Sequence, residues 1–144
     1  MSNATIEKSL ILNASPETVW AYLTDKDKLG AWFYAAKVDL EPGQDYVLVD
    51  NPEAGSTDRK CWGTVLEMTP CTHLKYTFTI NPLNGSLTTV TWKLEPVRGG
   101  TKLSLVHEGI EAAAGEAAMG LLFGLDSGWD RHLANLRASL APDN

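Results

Sequence analysis

A chain of 144 residues with 44% apolar content is long enough to bury roughly two thirds of its unfolded surface around one core, so neither a metal nor a disulfide is needed for folding. The formal charge of -6, with twelve Lys/Arg scattered along the chain, argues against nucleic acid and against an anionic membrane surface, both of which demand a concentrated basic stripe. No apolar run is long enough to span a bilayer and no signal-peptide pattern opens the chain, so the expected protein is a single cytoplasmic domain over residues 1–144, with residues 1–4 expected as a disordered start.

Ile6, Lys8, Leu10 and Leu12 alternate with Glu7, Ser9 and Ile11 over a first strand, 5–12. A helix start follows. Ser15 is placed to cap, Pro16 fits the first helical position where its missing N–H is harmless, and Glu17 meets the positive end of the dipole. Asp25 is placed to cap a second short helix whose Leu29, Trp32 and Phe33 stand at i, i+3 and i+4. From residue 36 the chain reads as strand: 36–39, 45–50, 59–68, 73–80, 86–95 and 101–108. The reversals between them have specific chemistry. Pro42-Gly43 suits a type II turn, Asn84-Gly85 is a strong hairpin signal, and Arg98-Gly99-Gly100 is another tight turn. Leu74, Tyr76, Phe78 and Ile80 alternate with polar residues, as do Val90, Trp92 and Leu94, which is the pattern of an antiparallel sheet with one dry face. Asn51 to Asp58 is a longer connection that reads as a surface loop beside a cavity mouth or as a plain hairpin tip.

The C-terminal segment divides by composition. In 112–125, Gly115, Gly120 and Gly124 interrupt Met119, Leu121, Leu122, Phe123 and Leu125, and because each helical glycine is disfavoured by ~1 kcal/mol relative to alanine, this half is expected to be the looser one. Residues 127–140 carry Trp129, Leu133, Leu136 and Leu140 at helical spacing and form the firmer half. A loose apolar half before an anchored one suits a ligand gate; irregular packing explains the same residues. A helix with one apolar stripe, closing a run of strands, is expected to lie across the sheet's concave face, and any space left between them is the candidate site.

The strand, two helices, six strands, long helix order resembles the heat-shock protein 90 ATPase activator-homology family, within the START-like (SRPBCC) helix-grip superfamily. The residues that carry it are Ala14-Ser15-Pro16-Glu17-Thr18-Val19-Trp20, Leu23-Thr24-Asp25, Leu29, Trp32-Phe33, Gly63-Thr64-Val65-Leu66-Glu67, Leu74-Lys75-Tyr76-Thr77-Phe78, and Gly128-Trp129 with Leu133 and Leu136. Their joint order, rather than any one of them, is specific. The resemblance implies an α+β helix-grip fold: a seven-stranded curved antiparallel sheet around a long C-terminal helix, enclosing an apolar cavity. It implies binding of a small apolar or amphipathic ligand such as a lipid, sterol or polyketide, with a cyclase or dehydratase activity and a chaperone contact as alternatives, in a monomer or homodimer. Gly43-Gln44 departs from the two glycines of many relatives.

Candidate site residues follow from alternation and spacing. His107 is in phase with Leu103 and Leu105, so on an inward face it is an acid/base candidate, with Tyr76 to orient a carbonyl; a hydrogen-bonded core histidine is the other reading. Trp20, Trp32 and Trp92 fall on apolar faces, and Trp62 and Trp129 are placed to offer an indole to an amphipathic ligand. The expected cavity lining is Trp32, Trp62, Tyr76, Phe78, Trp92, His107, Met119 and Phe123. No metal or other cofactor is expected, since His107-Glu108-Gly109-Ile110-Glu111 lacks a second histidine and His73 and His132 lie elsewhere. Cys61 and Cys71, roughly 25 Å apart on one predicted strand and its turn, read as free thiols.

Overall fold

The computed structural model describes residues 5–36, 38–49, 59–80, 86–110 and 118–140. Strand β1 (Ile6–Leu12) leads into α1 (Pro16–Thr24) and α2 (Lys26–Trp32). Strands β2 (Ala35–Ala36), β3 (Asp45–Val49), β4 (Arg59–Thr69), β5 (His73–Phe78), β6 (Thr88–Val97) and β7 (Gly100–Glu108) follow, and α3 (Ala118–Ser139) closes the fold. The strands form one antiparallel sheet in the order β1-β7-β6-β5-β4-β3-β2, the helix-grip arrangement that the resemblance implies.

Local chemistry accounts for the element ends. The Ser15 hydroxyl accepts from the Thr18 N–H at 3.2 Å with Pro16 at the first helical position, and the Asp25 carboxylate accepts from the Asp27 and Lys28 N–H groups at 2.9 and 3.3 Å. Gly43 and Gly99 hold φ of 75° and 88° at the two reversals read from the sequence. The Asn84-Gly85 turn and the Asn51–Asp58 connection lie outside the described residues. Strand β2 is shorter than the expected 36–39, because the chain leaves the sheet and Leu40 N–H instead donates to the Thr24 carbonyl at the end of α1.

Strand β4 has a split allegiance. Its first half pairs with β3 and its second with β5, and the register shifts between Val65 and Glu67. At Gly63 an added Cβ would lie 2.1 Å from the Thr77 carbonyl oxygen. Only glycine allows that approach, and the bend there helps curve the sheet around α3. Trp129 of α3 packs into the concavity against Trp92, Phe78 and Phe33, followed along the helix by buried Leu133, Leu136 and Leu140. From the edge strand, Lys8 reaches across to Asp126 and Asp130 at 2.7 and 3.0 Å. The expected division of the C-terminal segment is not seen as a break within the described part: α3 runs unbroken through Gly120, Gly124 and Gly128. Among the described residues, no helix is long and apolar enough to cross a membrane.

Candidate functional site: a cleft under the glycine half of the last helix

The interior beneath Trp129 is filled, and it is filled with a hydrogen-bonded aromatic core. His107 is fully buried on β7. The Trp129 indole N–H donates to its Nδ1 at 3.0 Å. An indole nitrogen only donates, so Nδ1 carries the lone pair and Nε2 carries the proton. Nε2–H then donates to the Thr88 hydroxyl at 2.8 Å, and that hydroxyl donates to the Phe78 carbonyl at 2.7 Å. Each polar side-chain atom of Trp129, His107 and Thr88 therefore has a partner, and burial lowers the imidazole pKa to about 4. Beside it the Trp92 indole donates to the Tyr76 hydroxyl at 2.8 Å, and Tyr46 donates to the Thr77 carbonyl at 2.6 Å. Burial pushes both phenols above their ordinary range.

Space remains next to this core, where α3 carries glycine. A cleft of about 170 Å³ is lined by Phe33 and Tyr34 after α2, Cys61 on β4, Phe78 and Ile80 from β5 and its end, and Gly124, Leu125, Gly128 and Trp129 on α3, with Lys60, Arg131 and His132 also on its wall. Neither Gly124 nor Gly128 has any atom within 4 Å of where a Cβ would stand, so their missing side chains keep the volume open. His132 is held edge-on to Phe33 and Tyr34 and donates from Nδ1 to the Trp32 carbonyl at 3.4 Å. Burial, with the nearby Arg131 charge adding to it, keeps this imidazole below its usual pKa although the Trp32 carbonyl favours the charged form. Burial also pushes the Cys61 thiol up, so it stays protonated. Cys61 and Cys71 are both free. A larger hollow of about 450 Å³ by Lys26, Asp39, Glu41 and Asp45 is an open polar trough.

The expected lining residues separate into three groups. Phe78 borders the cleft. Trp32, Tyr76, Trp92 and His107 are buried in the core behind it, with the two ring nitrogens of His107 engaged by Trp129 and Thr88 rather than offered to a cavity. Trp62, Met119 and Phe123 are placed differently from the expectation. Trp62 is half-buried opposite Val47, on the face away from buried Cys61 and Val65. Met119 and Phe123 are 63% and 70% exposed, because 119, 123, 126 and 130 form one row at i, i+4, i+7 and i+11, the row of Asp126 and Asp130. Four and seven residues before Trp129 stand Leu125 and Leu122, both half-buried, so the row of Trp129 itself marks the helix face turned toward the sheet. Phe33 and Ile80 stand on apolar spacings that the sequence shows, and Tyr34 and His132 carry no apolar signal of their own, but no spacing says that the four meet, since tertiary packing alone brings them together at one cleft. Among the described residues, no group of His, Cys, Asp and Glu is arranged to hold a metal ion.

Comparison with known proteins places this geometry. Among solved structures, protein MLL2253 from Mesorhizobium loti superposes with a TM-score of 0.77 at 20% identity, over 94% of this chain and 95% of that one. Protein CV1439 from Chromobacterium violaceum gives 0.70 at 27% identity, over 97% and 99%. The Aha1 dimer from Colwellia psychrerythraea gives 0.76 at 19% identity, over 95% and 96%. No curated protein matches the sequence. The family model described as activator of Hsp90 ATPase homolog 1-like protein matches residues 13–141, and the chain belongs to that family.

Proposed function

We propose that this protein is a small-molecule binding module that takes a compact apolar group into the cleft between β4, β5 and the glycine half of α3. The observation that carries the reading is the cleft itself: apolar walls, two glycines at i and i+4 facing open space, and a rim of polar side chains. Ligand pockets combine mostly apolar walls with a few orienting polar groups, which is this composition. The volume sets the scale of the occupant. About 170 Å³ is close to the roughly 150 Å³ apolar cavity that accommodates benzene, so one ring or a short branched chain enters and any remainder of the molecule extends outside. An acid/base role for His107 is less well supported, because its nitrogens already hold Trp129 and Thr88 and it does not border the cleft.

The test is a calorimetric titration with 1-naphthol, read in parallel by the Trp129 indole N–H resonance. Saturable binding that shifts this resonance is expected in the native protein. Gly128→Leu is expected to weaken it at least tenfold while the thermal unfolding transition stays cooperative, since leucine is a good helix former and its side chain has open space to occupy. Undiminished binding in a folded Gly128→Leu variant would overturn the reading.

A further inference from the structure

We infer that the occupant of the cleft presents a neutral hydroxyl to Nε2 of His132, which makes the ligand class an alcohol or phenol on a compact apolar body; this rests on the cleft being a binding site. The argument is one of tautomer. The Trp32 carbonyl can only accept, so the ring nitrogen that meets it at 3.4 Å, Nδ1, carries the proton. In the neutral imidazole the other nitrogen, Nε2, then holds a lone pair. Burial, with the Arg131 charge adding to it, keeps the ring neutral at pH 7.

The two histidines of α3 and its floor differ in what they leave over. His107 spends both nitrogens inside the core, on Trp129 and Thr88. Nε2 of His132 has no hydrogen-bond partner among the described residues. No side-chain nitrogen or oxygen among those residues is both buried and unpartnered, so Nε2 is reached from outside, and the hollow that His132 borders is the cleft. The ring cannot turn freely, because Phe33, Tyr34 and Trp129 pack edge-to-face around it at centroid distances of 4.7, 5.3 and 6.3 Å. An acceptor fixed in direction beside an apolar space selects an occupant with a proton to give at the matching point. A carboxylate has none. An ammonium is repelled by the Arg131 charge that the imidazole already feels, and an amide N–H brings a carbonyl that must also leave water. A hydroxyl is the smallest neutral donor that meets these conditions.

The experiment titrates the full chain with 1-naphthol and with 1-methoxynaphthalene, which keeps the ring and the oxygen and lacks the proton. The quantity read is the ratio of the two affinities, compared between the native protein and His132→Phe, which keeps a flat ring beside Phe33 and Tyr34 without its nitrogens. The ratio is expected to fall roughly three- to tenfold in the variant, the worth of one neutral hydrogen bond. His73→Phe, which removes a histidine on the outer face of β5 held by Glu67 at 3.0 Å, leaves the ratio at its native value. A second readout needs no variant: the nitrogen resonance of His132 Nε2 in the native protein is expected to move much further upfield with 1-naphthol than with 1-methoxynaphthalene, and it decides the matter if His132→Phe does not fold. An unchanged ratio in folded His132→Phe, or an Nε2 resonance that responds alike to both probes, overturns the hydroxyl assignment and leaves the cleft reading standing. Absence of binding by both probes overturns the two together.

Discussion

His107 shows what a buried histidine contributes when its tautomer is dictated by neighbours. The Trp129 indole can only donate and so requires a lone pair at Nδ1, while Thr88 takes the proton at Nε2. Protonation would place two N–H groups against each other at 3.0 Å inside a dry core. The folded pKa of about 4 lies below the ordinary 6.5, so the unfolded chain binds the proton more readily than the native one. Stability from this residue is therefore complete above about pH 6.5 and declines as pH falls toward 4, with a loss on the order of 3 kcal/mol across that window. Urea midpoints measured between pH 7.5 and 4 should show this slope in the native protein. His107→Gln can accept from Trp129 and donate to Thr88 without titrating, and its profile is expected to be flatter over the same range. Parallel profiles for the two proteins would remove His107 as the source.

Strand β4 is where element-scale physics departs from what alternation can tell. Capping at Ser15 and Asp25, the positive-φ glycines at 43 and 99, and the inward phase of Leu103, Leu105 and His107 were all readable, because each depends on a residue and its near neighbours in sequence. The face of Trp62 depends instead on which strand β4 pairs with at that point, and the register shift between Val65 and Glu67 moves Met68 to the inner phase while Trp62 stays on the outer one. The cleft was legible only as a location, under the last helix. Its walls come from the chain after α2, from β4, from β5 and from a helix face that the exposed Met119 and Phe123 obscure. Gly63 is the hinge of this arrangement, pressed against Thr77, whose hydroxyl accepts from the Thr64 N–H at 2.8 Å and whose carbonyl accepts from Tyr46 at 2.6 Å. Gly63→Ala must push β4 off β5 and is expected to destabilise by roughly 2 kcal/mol, within the usual range for overpacking. Chemical denaturation measures it directly, and a change below a few tenths of a kcal/mol would show that the bend is not held by this contact.

At the scale of the whole molecule, α3 is a clamp with unequal ends. Its later half is fixed by Trp129, Leu133, Leu136 and Leu140 and by the Lys8 bridge to Asp126 and Asp130, while its earlier half carries Gly120 and Gly124 and turns Met119 and Phe123 to solvent. Helical glycine is unfavourable by roughly 0.5–1 kcal/mol relative to alanine, so a sequence selected for stability alone would not place three in one helix. The three positions separate two explanations. All have open space around a Cβ, but only Gly124 and Gly128 border the cleft. Alanine at any of the three is expected to raise the melting free energy by about 0.5–1 kcal/mol through the helix. Binding should respond differently: Gly120→Ala leaves affinity for 1-naphthol unchanged, whereas Gly124→Ala and Gly128→Ala each lower it, because a methyl group removes a sizeable share of a 170 Å³ space. Thermal melts and calorimetry on the same three variants measure both quantities. Stabilisation at 124 and 128 coupled to weaker binding, with stabilisation alone at 120, would mean that the helix holds its glycines to keep the grip open; equal affinity in all three would mean that the open space has no part in recognition.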